Sequence, residues 1–244
     1  MNIYHVLNGD SLANRFPSEL VGEHIICREC MVTGPVDGSS LQELYDNRKS
    51  HLEEFTGSTV VYEGAAIKEF NQIINLPEGA EVNLWFEYDL FCQANLWFVL
   101  NLLSIKDRQR QVHLVLPDER SPYGYHQYSN IELIELFNQR RGLPLSAGLD
   151  QIWQAYVDRN AEQLSAFQAP LSAIDSLLGQ AITLQIERIR ADEDPILTKL
   201  RAIITELGTN EFKEIFREFQ KRHLYYGLGD LQVKRYVDQM GGKV

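Results

Sequence analysis

Apolar residues follow two rhythms along this chain. In the first half, short continuous runs alternate with stretches where apolar side chains recur every three or four residues. The first pattern suits parallel strands covered on both faces, and the second suits helices. Ile3 to Leu7 forms a run that ends in Asn8-Gly9-Asp10-Ser11, a tight turn followed by a helical pattern (Leu12, Phe16) that Pro17 stops. A second strand is predicted through His24 to Arg28 and breaks at Gly34-Pro35. Leu41, Leu44, Tyr45, Arg48, Leu52 and Phe55 then recur at helical spacing. Further strands are predicted at Thr59 to Tyr62, Val82 to Glu87 and Val112 to Leu116, with helices at Ala65 to Ile74 and Leu90 to Leu103.

Beyond the loop Ser121-Pro122-Tyr123-Gly124-Tyr125 the strand signal ends. Helices are predicted at Asn130 to Arg141, Leu149 to Phe167 and Pro170 to Ile189. After the polar break Arg190 to Pro195 they resume at Ile196 to Leu207, Asn210 to Arg222 and Asp230 to Met240. The fold class expected is therefore α/β, with a Rossmann-like, mostly parallel sheet and right-handed crossovers over residues 1–128. A helical connector packed on it occupies 129–194, and a small trihelical unit of winged-helix size occupies 195–244.

Charge sharpens that division. The chain carries 23 Lys and Arg against 34 Asp and Glu, a net −11, which opposes general coating of nucleic acid. From Pro195 onward nine basic residues face six acidic ones, a surplus of +3 that leaves −14 for the residues before it. Three cysteines, Cys27, Cys30 and Cys92, are an odd number without a secretory-type leader, so a reducing, cytoplasmic setting is expected. The apolar stretch Leu90 to Leu103 is interrupted by Gln93, Asn95 and Asn101 and is too short for a bilayer, so it reads as a buried helix.

Two clusters hold the candidate chemistry. Asn8-Gly9-Asp10-Ser11 lies where a first parallel strand feeds a helix, a place where free backbone N–H groups and the helix dipole favour ligands. Asn8, Gly9 and Ser11 are candidate ligand contacts there. Asp10 opposes a phosphate but suits a metal, a ribose hydroxyl or a base; the plainer alternative is that Asp10 or Ser11 caps the helix. In Trp85-Phe86-Glu87-Tyr88-Asp89-Leu90-Phe91-Cys92-Gln93, three polar side chains interrupt an apolar strand-to-helix junction. Glu87 and Asp89 share a side if the chain stays extended, and Gln93 lies one helical turn beyond Asp89. Paired carboxylates can hold a divalent cation, or one can act as a general base beside its charged neighbour. Otherwise Asp89 caps the helix and Glu87 faces solvent.

Arg28 and Glu29 end the second strand and Arg48 sits in the following helix. Either arginine can clamp a ligand's phosphate or carboxylate, or simply neutralise the acids. If neighbouring strands carry them, Asp10, Arg28 and Glu87 meet at one sheet edge. Cys27-Arg28-Glu29-Cys30 has the spacing of half a zinc or redox site, but no second pair exists. Dinucleotide fingerprint, Walker loop and nucleophile elbow are all absent from the sequence.

Three motifs in order, His5 to Leu12, Cys27-Arg28-Glu29 with Gly34-Pro35-Val36, and Leu84 to Gln93, resemble a bacterial family of domains of unknown function, number eighteen thirty-five. The resemblance covers about the first 140 residues. Tyr226-Gly227-Leu228-Gly229-Asp230-Leu231-Gln232 is similar to a glycine-aspartate motif in the C-terminal part of such proteins. It implies a Rossmann-like N-terminal region and a helical remainder, without an established activity. Tyr88 stands where the resemblance leads one to expect histidine in many relatives, which argues against that side chain as an acid or base.

The leading expectation is a small nucleotide- or phosphate-like ligand bound or acted on at the C-terminal edge of the sheet, with a divalent cation as an option. In that reading Asp10, Glu87 and Asp89 are the acids and Arg28 or Arg48 the anion clamp. Two alternatives stay open: a ligand-sensing regulator whose Lys234 and Arg235 contact DNA, and a protein-interaction module docking a partner or a second copy.

Overall fold

A computed structural model describes residues 2–106, 108–145 and 148–241. Four parallel strands, β1 (Ile3–Leu7), β2 (Glu23–Ile26), β3 (Glu81–Trp85) and β4 (Gln111–Val115), and the antiparallel β5 (Arg141–Gly142) form one sheet of order β2-β1-β3-β4-β5. Side chains alternate between its faces, as a strand's period of two requires. Val6, Leu84 and Leu114 point into one buried cluster, whereas their neighbours Leu7, Trp85 and Val115 point into the other. Both faces are covered, so the chain is a Rossmann-like α/β protein whose remaining length is mostly helical.

The smaller cluster lies under α1 (Asp10–Ala13) and α5 (Asn130–Asn138). On the other face lie α2 (Leu41–Thr56), α3 (Lys68–Ile74) and α4 (Leu90–Ser104), whose residues join the larger cluster. Helix α4 is apolar nearly all round because it is enclosed nearly all round, touching α3 and also α6 (Gln151–Val157) and α9 (Leu178–Arg190). Between α6 and α9 come the short α7 (Ala161–Ala166) and α8 (Gln168–Ile174). The chain continues through α10 (Pro195–Leu207), α11 (Phe212–His223) and α12 (Asp230–Gln239), which pack on one another. Leu200, Phe219 and Val237 belong to the same buried cluster as Val6, so the polar break at 190–195 does not divide the interior.

Three expectations are corrected. Thr59 to Tyr62 is not a strand; it leads into a π-helical turn, Glu63–Ile67, that runs on into α3. Strands do not end at residue 121, because β5 pairs with β4. The two long helices expected at 149–167 and 170–189 are each two. The first breaks at Arg159, which takes a left-handed φ of 50°, before Asn160 caps α7 by accepting from Gln163 N. The second breaks at Asp175, whose carboxylate accepts from Leu177 N at 3.0 Å.

No helix among the described residues is long and apolar enough to cross a membrane.

Candidate functional site

The chain leaves β1 for β2 on one side and later returns to β3 on the other, so a crevice opens between the carboxyl ends of β1 and β3. The register is level there: Leu7 pairs with both Ile26 and Trp85. Asn8, Cys27 and Phe86 consequently leave three adjacent strands level with one another, followed by Gly9, Arg28 and Glu87.

The crevice is filled by a hydrogen-bond network. Asn8 Nδ2 donates to Cys92 Sγ at 2.9 Å, and Cys92 Sγ donates to Glu87 Oε2 at 3.2 Å. Asn95 of α4 donates through Nδ2 to Asn8 Oδ1 (2.9 Å) and to the Glu29 carbonyl (2.7 Å), and its Oδ1 accepts from Met31 N (2.9 Å). Gln93 Nε2 donates to the Glu87 carbonyl at 2.7 Å. Asp89 caps α4, accepting from Cys92 N at 2.9 Å, a contact that contributes roughly 1 kcal/mol.

Burial dominates the electrostatics here. Desolvation, reinforced by the nearby Asp89 charge, pushes Glu87 up to about 7. Asp89 rises to about 6 for the same first reason, against the pull of its hydrogen bonds from Cys92. The Cys92 thiol is driven well up by burial and by the two carboxylates, so it stays protonated as a donor. The turn Tyr226-Gly227 closes over Asp89: a Cβ on Gly227 would overlap Oδ1 of Asp89 and approach Cβ of Phe91 to 2.8 Å. The C-terminal glycine motif and the acidic motif therefore meet in space.

The other singled-out residues go elsewhere. Asp10 forms a two-pronged ion pair with Arg28, whose Nε reaches Oδ2 at 3.0 Å and whose Nη2 reaches Oδ1 at 2.8 Å. Glu69 approaches the same guanidinium at 3.4 Å. Gly9, at φ 90°, occupies the cap position of α1 without a side-chain bond, and Ser11 is exposed. Arg48 is 0% exposed and paired with Glu29 at 2.5 Å; it also donates to the carbonyls of Cys30 (2.9 Å), Thr33 (2.5 Å) and Pro35 (3.1 Å). Tyr62 OH donates to the other Glu29 oxygen at 2.5 Å. Arg48, Glu29 and Asn95 thus fix the path of residues 29–35. Tyr125 and Tyr128 are packed into the smaller buried cluster.

That fixed segment is one wall of a cleft of about 820 Å³, whose other walls are the end of α6, α9 and α12. Arg159, Arg188 and Arg235 line it together with Asp37, Asp192 and Asp194; burial, reinforced by Arg48 and Arg235, pushes His51 down, so that its ring lines the cleft as a neutral group. Arg188 is committed to Asp194 at 2.8 Å and to Tyr236 OH at 3.2 Å. Burial works against the Asp194 charge, but the bond to Arg188 wins and holds its carboxyl below the ordinary range. Arg235 lies over the Phe55 ring at 5.4 Å and approaches Glu54 at 3.5 Å; Lys234 pairs with Asp238 at 3.2 Å. Arg159 makes no ion pair among the described residues. Gly34, at φ 80°, lets the His51 ring lie against the wall, where a Cβ would overlap it. Neither this cleft nor two smaller ones of about 390 and 370 Å³ is lined by Asp10, Glu87 or Asp89.

Among the described residues, no three His, Cys, Asp or Glu side chains are grouped to hold a metal ion, and all three cysteines are free thiols. The acids do not fit a divalent cation: Asp10 is spent on Arg28 and Asp89 on its cap.

Fold and cleft together define a Rossmann-like α/β protein with a recess beyond the carboxyl end of β2 lined by three arginines and three aspartates. Comparison with protein-family models, with curated proteins and with solved structures found no match for the chain.

Proposed function

We propose that this protein binds a small phosphate-like or nucleotide-like anion in the 820 Å³ cleft, at the C-terminal edge of the sheet. One observation carries the proposal: Arg159, held in a left-handed backbone conformation, lines a ligand-sized recess and makes no ion pair among the described residues. A non-glycine residue at φ 50° costs on the order of 1 kcal/mol, and such positions gather at binding and active sites. Recesses of about 300–1,000 Å³ are the usual size for small-molecule sites. Arg235, paired with Glu54 at 3.5 Å, and the His51 ring line the same space.

In this reading the acidic network is the buttress and the cleft is the site. Asn95, Glu29 and Arg48 hold the wall, and Asn8, Cys92 and Glu87 hold Asn95. Any divalent cation would arrive on the ligand's phosphates rather than on a resident set of acids. Lys234 and Arg235 are engaged with Asp238 and Glu54, so nothing in the last helix favours contact with DNA.

The test is thermal unfolding of the full chain with inorganic pyrophosphate and a panel of nucleoside 5′-phosphates. Occupancy at a hundred times Kd adds about 2.7 kcal/mol and raises the Tm by roughly 5–10 °C. Arg159→Glu should remove the rise while leaving the unliganded Tm in place. If no member of the panel shifts the wild-type Tm, the proposal is overturned.

A further inference from the structure

One wall of the cleft is tied to a buried pair of acids by a single file of hydrogen bonds. Cys92 Sγ donates to Glu87 Oε2 at 3.2 Å and accepts from Asn8 Nδ2 at 2.9 Å. Asn8 Oδ1 accepts from Asn95 Nδ2 at 2.9 Å, and Asn95 Oδ1 accepts from Met31 N at 2.9 Å, one residue before the wall begins at Val32. Asn95 and Met31 are both fully buried, so an amide that loses this bond has no solvent beside it to replace the partner.

The far end of the file is titratable. Glu87 and Asp89 stand two residues apart, and neither makes an ion pair among the described residues. Helix α4 presents Asp89 and Cys92 to Glu87, and the loop after β4 presents Tyr125, with Tyr123 beside Asp89. Gly227 covers Asp89 without adding a charge, and Asp10 and Arg28 are committed to each other. Burial drives the Cys92 thiol and the Tyr125 hydroxyl well up and the Tyr123 hydroxyl up, so the two carboxyls are the groups here that change charge between pH 5 and 8. Ionising both sets two like charges side by side with little water around them. Glu87 retains some exposure, so swinging outward relieves the repulsion, and that swing takes the acceptor away from Cys92.

We infer that Glu87, Cys92, Asn8 and Asn95 form a proton-controlled clasp: uncharged, Glu87 holds Met31 and the wall segment that follows it closed, and ionised, it lets that segment open. The clasp works whether or not the cleft holds an anion, and its test needs no ligand. On the other side of the wall the His51 ring lies against Gly34. Burial keeps that ring neutral, so its protonation at low pH would disturb the wall in the opposite direction.

The experiment is native-state hydrogen exchange of the full chain at pH 5 and pH 7.5, each rate divided by the intrinsic rate of that amide so that only opening constants are compared. With Glu87 raised from 4.5 to about 7 in the closed form, that form loses up to about tenfold per pH unit across the span. The Met31 opening constant should therefore rise about tenfold or more, and it should not respond to about 1 M urea, because a local opening exposes little surface. Glu87→Gln should abolish the rise. Asn8→Ala, which cuts the file between acid and wall, should give an opening constant that is high at both pH values. No rise in the wild type would overturn the inference, and so would a rise that persists in either variant. A Met31 opening constant as urea-sensitive as that of Leu114 in the sheet would also overturn it, because Glu87 would then act through global stability alone. If Glu87→Gln does not fold, Asn8→Ala decides by the same criterion.

Discussion

Gly227 and Asp89 lie in contact, Cα against carboxylate, with no room between them for a methyl group. Two constraints therefore fall on one position: the left-handed φ of 68° and the packing over a buried helix cap. Gly227→Ala should destabilise the protein by about 2 kcal/mol or more, combining backbone strain with displacement of the cap. In a chain of this size that lowers the Tm by roughly 4–8 °C. Asp89→Ala relieves the overlap, so the double variant should lose less stability than the two single losses added together. Additive losses would show that the turn does not bear on the cap.

Arg48 and Glu29 form a fully buried pair, and removing one partner strands the other charge. Arg48→Met should cost about 3–5 kcal/mol in denaturant unfolding. Glu29→Gln combined with Arg48→Met should recover part of that loss, because the uncompensated charge is gone.

Asn95 joins the end of β1 to the segment after β2 that forms the cleft wall. Replacing it with leucine leaves Met31 N–H and the Glu29 carbonyl without partners, at about 1–3 kcal/mol. Hydrogen exchange should accelerate at Met31 to Asp37 more than in β3 or α4. A uniform acceleration across the sheet would mean that Asn95 serves global stability instead.

Titration of Glu87 and of His5 should act on stability with opposite signs. Burial raises the folded Glu87 to about 7 from an ordinary 4.5, so its contribution is full below 4.5 and is lost as pH rises through 7. Burial lowers the folded His5 to about 4 from 6.5; its contribution is full above 6.5 and is lost as pH falls towards 4. His5 is neutral at rest, accepting at Nδ1 from Trp85 Nε1 (3.1 Å) and donating from Nε2 to the Val21 carbonyl (3.3 Å). Glu87→Gln should therefore flatten the decline between pH 5 and 8, read from denaturation midpoints at each pH. It should also leave binding in the cleft intact; loss of binding with an unchanged Tm would return Glu87 to the site.

Arg159→Gly separates stability from binding. Glycine adopts the left-handed conformation without strain, so the unliganded Tm should hold or rise by a few degrees, while affinity for pyrophosphate should fall by at least about tenfold. A variant that binds as the wild type does would exclude Arg159 from the anion contact.

The elements with strong periodicity were legible in the sequence. Of Asp10, Arg28 and Glu87, expected together at one sheet edge, the first two form an ion pair while Glu87 bonds instead to Cys92. Thr59-Val60-Val61-Tyr62 misled because β-branched residues mimic a strand, yet Val61 is 74% exposed and only Tyr62 is buried. Strand β5 left no signal at all, being two exposed residues, Arg141 and Gly142. At the site, Asn95 could have been found from its place inside an otherwise apolar helix, where a polar side chain needs partners. The cleft could not. Its lining comes from loops and helices distant in sequence, and no local motif marks where Arg159, Gln185 and Arg235 will meet.

That assembly sets the order in which competence can arise during synthesis. The recess needs Thr33 to Asp37 from near the start of the chain and Gln232 to Gln239 from near its end. All five strands are present in a nascent polypeptide once Gly142 has been made, so the sheet can pair while the recess still lacks the wall that Gln232 to Gln239 supply.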